Sequence, residues 1–115
     1  MKNYALFAFN GDPMCFVHVM LNALDFDSKG YKVKVIIEGS ATALVSTLKN
    51  EDAMFHPLYR KMLDKGLVDG VCKACSIKMK SLEDAEAQGL KLLDGMSGHP
   101  SMADYIADGF EIITF

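Results

Sequence analysis

Short runs of apolar residues alternate along the chain with stretches whose apolar positions recur every three or four residues. The first run, Tyr4-Ala5-Leu6-Phe7-Ala8-Phe9, is continuously apolar and stops at Asn10-Gly11, the pattern of a strand covered on both faces. Asp12-Pro13 then opens a helix, with the aspartate as N-cap and proline at the first helical position. From Met14 to about Leu24 the polar groups of that helix are confined to His18, Asn22 and Asp25. So narrow a wet stripe points to packing beyond the sheet and predicts a subunit interface.

Gly30 precedes a second strand, Lys32 to Glu38, which ends at Gly39-Ser40. Ala41, Leu44, Val45 and Leu48 follow at helical spacing, and a further helix turns Leu58, Met62 and Leu63 inward before Gly66. Val68 to Cys72 is the third strand. The next helix starts around Ala74–Cys75, buries Ile77, Met79, Leu82 and Ala85, and stops at Gly89. Leu90 to Leu93 is the fourth strand. The loop Asp94 to Pro100 leads to a last helix with Pro100 at its first position and His99 as N-cap, and Phe110 to Phe115 is the fifth strand.

Strands alternating with helices specify right-handed βαβ units. The expected fold is a single α/β domain over the 115 residues: a three-layer α/β/α arrangement with a mainly parallel five-stranded sheet, Rossmann- or flavodoxin-like. Such sheets gather ligands at the carboxyl ends of their strands. That edge holds Asn10, Gly11 and Asp12, Glu38, Gly39 and Ser40, Cys72 to Ser76, and Asp94 to Pro100.

Composition narrows the picture. Half the residues are hydrophobic and 23% are charged, as in a globular domain. A formal net charge of -3 gives no basic footprint, so nucleic acid is not expected as a partner. No apolar run is long enough to span a bilayer, and the amino terminus lacks the pattern of a signal peptide, so the expectation is a cytoplasmic protein that does not enter the membrane. Three cysteines, two of them three positions apart, do not form a secreted disulfide framework; thiol chemistry in a reducing compartment is the better reading.

Val71-Cys72-Lys73-Ala74-Cys75 is the sharpest motif. Cys72 ends a strand or caps a helix, Cys75 falls in the first helical turn, and Lys73 adds a cation. Unpaired N–H groups and the helix dipole at such a junction favour a thiolate, so a depressed pKa is expected at either thiol. Both also fit as small buried hydrophobes. His99 is placed to donate a proton or steady a thiolate, or simply to cap its helix. Asn10, Gly11, Glu38, Gly39, Lys73 and Met96 are candidate ligand-binding positions, although Asn10-Gly11-Asp12 is no nucleotide fingerprint and Glu38 also suits a helix cap. Cys15 with His56 or His99 could extend the cysteine pair to zinc, but the spacing matches no standard zinc module, and no metal or cofactor is expected. The methionines, 8 in all, read as packing.

With these residues in view, the chain resembles the DsrE-like family of small sulfur-relay proteins, and most of all its uncharacterised cytoplasmic members. The resemblance rests on the hydrophobic first strand, Val35-Ile36-Ile37-Glu38-Gly39, Val71-Cys72 followed by Ala74 at a strand-to-helix junction, and the segment Met96-Ser97-Gly98-His99-Pro100. It implies that Cys72 accepts sulfane sulfur, that donor and acceptor proteins are partners, and that the chain forms a homo-oligomer, whether dimer, trimer or hexamer. Cys75 departs from the relay subunits, which commonly carry a small apolar residue there. The expected function is a persulfide carrier or sulfurtransferase. The same residues also fit a thiol–disulfide redox protein, or a ligand-binding or assembly protein without turnover, and they leave open whether the chain is an enzyme.

Overall fold

The computed structural model describes residues 2–115. Its five strands are β1 (Asn3–Ala8), β2 (Lys32–Ile37), β3 (Val68–Cys72), β4 (Leu92–Leu93) and β5 (Glu111–Thr114). They form one sheet in the order β4-β3-β2-β1-β5, and every pairing is parallel. Six α-helices connect them: α1 (Pro13–Ser28), α2 (Leu44–Leu48), α3 (His56–Asp64), α4 (Lys73–Lys78), α5 (Leu82–Ala87) and α6 (Met102–Ala107). A 3-10 turn over Gly39–Ala43 leads into α2.

Strand alternation divides the core into two unequal layers. Leu6, Ala8, Val35, Ile37 and Val71 face one side and bury against Phe16, Val19 and Met20 of α1, Val45 and Leu48 of α2, Tyr59 and Met62 of α3, and Ala85 of α5. Ala5, Phe7 and Ile36 face the other side, where Tyr105 of α6 and Phe110 cover them. Each fully buried side chain of this size contributes about 1.5–3 kcal/mol of transfer free energy, so the heavier layer dominates stability. The apolar girth of α1 has an explanation inside the chain: α3 packs beside it as well as the sheet. Met14 and Leu21 stay exposed on its outer surface.

Asp12 caps α1 as expected, its Oδ1 accepting from the Met14 N–H at 2.9 Å, with Pro13 in the first turn. Three expectations change. The helix read as continuous from Ala74 to Gly89 is two short helices, broken where Lys80 adopts a positive φ of 58°. Ile77 and Met79, expected inside, are exposed, Ile77 on the outer side of α4 and Met79 just past its end. Ser101 rather than His99 takes the N-cap position of the last helix, without a side-chain hydrogen bond to its first turn, and Pro100 is buried ahead of it.

Topology places the site. Connections after β1, β2 and β3 pass over the heavier layer, whereas the connection after β4 crosses to the α6 side. The carboxyl ends of β3 and β4 therefore lead to opposite faces, which opens a crevice between two adjacent strands, the usual position for a site in an open α/β sheet. Cys72 ends β3 there, paired in register with Leu93.

Candidate functional site

Cys72 is both the last residue of β3 and the N-cap of α4. Val71 points into the heavier core layer, so alternation sends Cys72 the other way, towards the loop that follows β4. Its sulfur accepts the Cys75 N–H at 3.4 Å, which fixes the first turn of the helix. Ser76 donates to the Cys72 carbonyl at 2.7 Å, and Thr42 donates to the Cys75 carbonyl at 3.3 Å. Ser76 was legible as a side chain one helical turn beyond Cys72; Thr42 lies far away in sequence and gave no local signal.

The β4–α6 loop closes over this turn. Met96 and His99 exchange two backbone hydrogen bonds, 2.8 and 3.0 Å, while the Ala74 N–H donates to the Gly98 carbonyl at 2.9 Å. This knot orients the His99 ring. Its Nδ1 lies 3.1 Å from the Cys72 sulfur and 3.8 Å from the Cys75 sulfur. The three donor atoms all lie within 4.8 Å of one another.

The two thiols differ in access. Cys72 is fully buried, and Cys75 and Cys15 are half-buried. Burial pushes the Cys72 thiol up to about 12; the Cys75 N–H opposes the shift, and the Cys75 thiol and Glu38 add to it. The expected depression at Cys72 is therefore reversed. Desolvation outweighs the helix, which is only six residues long and ends at Lys78. Lys73 does not compensate, since its ammonium turns to Asp94 at 3.7 Å.

Glu38 is buried at the end of β2, and burial raises its pKa against the opposing pull of His99. It lines, with Phe9, Met96, His99, Pro100 and Met102, a mainly apolar cavity of about 370 Å³. A second, polar cavity of about 340 Å³ flanks β4 on the α6 side, around Lys34, Asp69, Tyr105 and Asp108. Pro100 and Ser101 border both.

The structure thus brings Glu38 and Met96 alongside the cysteine–histidine cluster. Asn10, Gly11 and Gly39 have local structural roles. The Asn10 side chain accepts from the Asp12 N–H at 2.8 Å, and the Gly11 N–H donates to Ser40 Oγ at 2.9 Å. A Cβ at Gly39 would lie 2.9 Å from the Phe9 carbonyl oxygen, so this glycine permits close passage of two loops. Cys15 is not part of the cluster. His56 meets the Leu48 carbonyl at 2.7 Å, a structural contact, and His18 is exposed.

Fold and site define an α/β/α protein with an all-parallel sheet and a cysteine pair beside a histidine at its carboxyl edge. The chain is 33% identical over 100 residues to the uncharacterized protein MJ0733 of Methanocaldococcus jannaschii, a match covering 84% of this chain and 77% of that protein, and it belongs to the same family. An uncharacterized protein of Archaeoglobus fulgidus is 44% identical over 43 residues, 37% of this chain and 70% of its own. No family model matches the chain. Among solved structures, the conserved protein of unknown function BT1422 from Bacteroides thetaiotaomicron superposes with a TM-score of 0.74 over 99% of this chain and 95% of its own, at 17% identity, a likeness of fold.

Proposed function

We propose that the protein is a cysteine-dependent carrier of sulfane sulfur, a persulfide carrier or sulfurtransferase of the DsrE-like kind. The observation that supports this reading is the meeting of Cys72, Cys75 and the His99 ring nitrogen at the end of β3. Sulfur reaches Cys72, the expected acceptor, by way of Cys75 rather than directly, because Cys75 is the thiol of the pair that a donor can reach. The Cys75 thiol passes its proton to His99, and the thiolate attacks the terminal sulfur of a donor R–S–SH. The donor's S–S bond breaks, and R–S⁻ leaves and recovers the proton from His99. The products are Cys75–S–SH and R–SH, with no net oxidation. A second exchange of the same kind moves the outer sulfur to Cys72, where burial shields it from bulk thiols, and delivery to an acceptor runs the sequence backwards.

The chain works in this reading as a cytoplasmic homo-oligomer serving donor and acceptor proteins. A second reading is favoured by the Cys72–Cys75 spacing. If Cys72 attacks the inner sulfur of Cys75–S–SH, hydrogen sulfide is released and a Cys72–Cys75 disulfide forms, so the sulfane sulfur is reduced and the dithiol oxidised by two electrons.

Intact-mass measurement after exposure to a hydropersulfide or polysulfide tests both. The carrier reading expects one added sulfur atom per chain, lost in Cys75→Ser and not retained after a thiol wash in Cys72→Ser. Equal loading of the Cys72→Ser/Cys75→Ser double variant overturns it. Loss of two hydrogens without added sulfur, accompanied by sulfide release, selects the redox reading.

A further inference from the structure

We infer that Cys72, Cys75 and His99 form a binding site for one zinc ion, with two thiolates and one imidazole nitrogen as ligands and a fourth position open. The inference goes beyond the sulfur-carrier reading: a chain that binds zinc and never accepts sulfur satisfies it.

The geometry carries the inference. Four-coordinate zinc, with bonds of about 2.3 Å to sulfur and 2.0–2.1 Å to nitrogen, sets its donor atoms roughly 3.5–3.8 Å apart. Here Nδ1 lies 3.1 Å from one sulfur and 3.8 Å from the other, with every separation inside 4.8 Å. Placing an ion at the centre of the three asks for side-chain movements only, since no pair of donors starts farther than 4.8 Å apart. The donors come from two separate elements, the start of α4 and the β4–α6 loop, and the Gly98–Ala74 hydrogen bond already holds these together. Both sides are braced. Ser76 and Thr42 hold the cysteine turn, and the paired Met96–His99 hydrogen bonds hold the imidazole.

The donor set selects the metal class. Two sulfurs and one imidazole, with no carboxylate among them, suit zinc or copper and exclude the oxygen-seeking magnesium and calcium. Charge then separates the first two. Zinc(II) with two thiolates and a neutral imidazole is neutral overall, and binding releases the two thiol protons. Copper(I) in the same ligands leaves a net negative charge beside the buried Glu38 carboxyl group. Burial of Cys72 also admits a bare ion more readily than a bulky reactant.

The test uses the full chain, reduced and stripped with a chelator, then titrated with zinc in competition with a chromophoric chelator. One equivalent per chain is expected. Cys75→Ser and His99→Gln, both at half-buried positions, each weaken binding by more than about tenfold, a loss that even groups outside the ligand set commonly cause. Cys15→Ser leaves it unchanged. Cobalt(II) added in place of zinc gives a thiolate charge-transfer band and the intense ligand-field bands of a four-coordinate ion. Absence of binding, affinity unchanged in Cys75→Ser or His99→Gln, a cobalt spectrum without thiolate bands, or uptake of copper(I) but not zinc overturns the inference. Sulfur loading of the metal-free chain is scored separately by mass, so failure of one reading is visible without the other.

Discussion

Gly98 offers the sharpest test of how the loop after β4 holds the site. Its φ of 89° lies in the left-handed region, and a Cβ there would sit 3.2 Å from the Ala74 Cβ. Gly89, with φ of 74°, has the same backbone requirement and nothing within 4 Å of the added atom. Gly89→Ala therefore measures backbone strain alone. That strain is about 1–2 kcal/mol, offset by about 0.4–1 kcal/mol because alanine narrows the unfolded ensemble. Gly98→Ala adds crowding against Ala74, about 1 kcal/mol for a tight contact at the edge of a packed region. It also stretches the Ala74 N–H to Gly98 carbonyl bond, about another 1 kcal/mol. The expected loss is thus about 1 kcal/mol at Gly89 and about 2–3 kcal/mol at Gly98, read from urea midpoints at constant slope. Ala74→Gly made on top of Gly98→Ala removes the clash, and the double-mutant cycle should return a favourable coupling near 1 kcal/mol. Displacing the loop also moves His99, so the alkylation rate of Cys75 should change in Gly98→Ala and stay at the wild-type value in Gly89→Ala. Equal destabilisation by the two single substitutions, with Cys75 alkylation unaltered in both, refutes the account of this loop.

Two further outcomes follow from burial. In the folded, metal-free chain Cys75 and Cys15 react with a bulky disulfide reagent while Cys72 stays protected until denaturant is added; peptide mapping of the modified residues checks the order, and Cys72 labelled first contradicts it. Tyr59 and Tyr105 are both held above the ordinary tyrosine value of 10.0, chiefly by burial. A phenol harder to ionise when folded contributes stability that is complete below pH 10 and drains away as pH rises above it. Tyr105 also donates to Asp69, which adds to its shift. Tyr105→Phe should cost about 1 kcal/mol at neutral pH and flatten the alkaline fall, as denaturant midpoints between pH 9 and 11 will report.

The elements that the sequence made legible are those with a local physical cause. A continuous apolar run marked β1, Val33 to Ile37 after Gly30 marked β2, and Asp12-Pro13 marked the start of α1 to the residue. The junction at Cys72 was equally visible, because a strand pattern ended where a helical one began. What could not be read depended on distant partners. The spacing of Ile77, Met79, Leu82 and Ala85 suits one helix, but the chain turns at Lys80, a break that no glycine or proline announces. The Cys72 pKa went the wrong way in the sequence reading because the helix N-terminus is local and visible, whereas burial under the β4–α6 loop is tertiary. His99 was found with two tasks open, steadying a thiolate or capping its helix; Ser101 takes the N-cap position, and the imidazole lies against the thiols.

β4 is only two residues long and lies at the edge of the sheet, joined to β3 alone. Strands at the rim with so few backbone bonds detach at a small fraction of the free energy needed to unfold a whole domain. The segment it anchors is the one that covers Cys72 and carries His99. The anchorage of that segment through β4 is therefore separate from the α1–β1–β2 core. Local opening at β4 would uncover the buried sulfur and withdraw the imidazole together, and amide exchange should be fastest, among the strands, at Leu92 and Leu93.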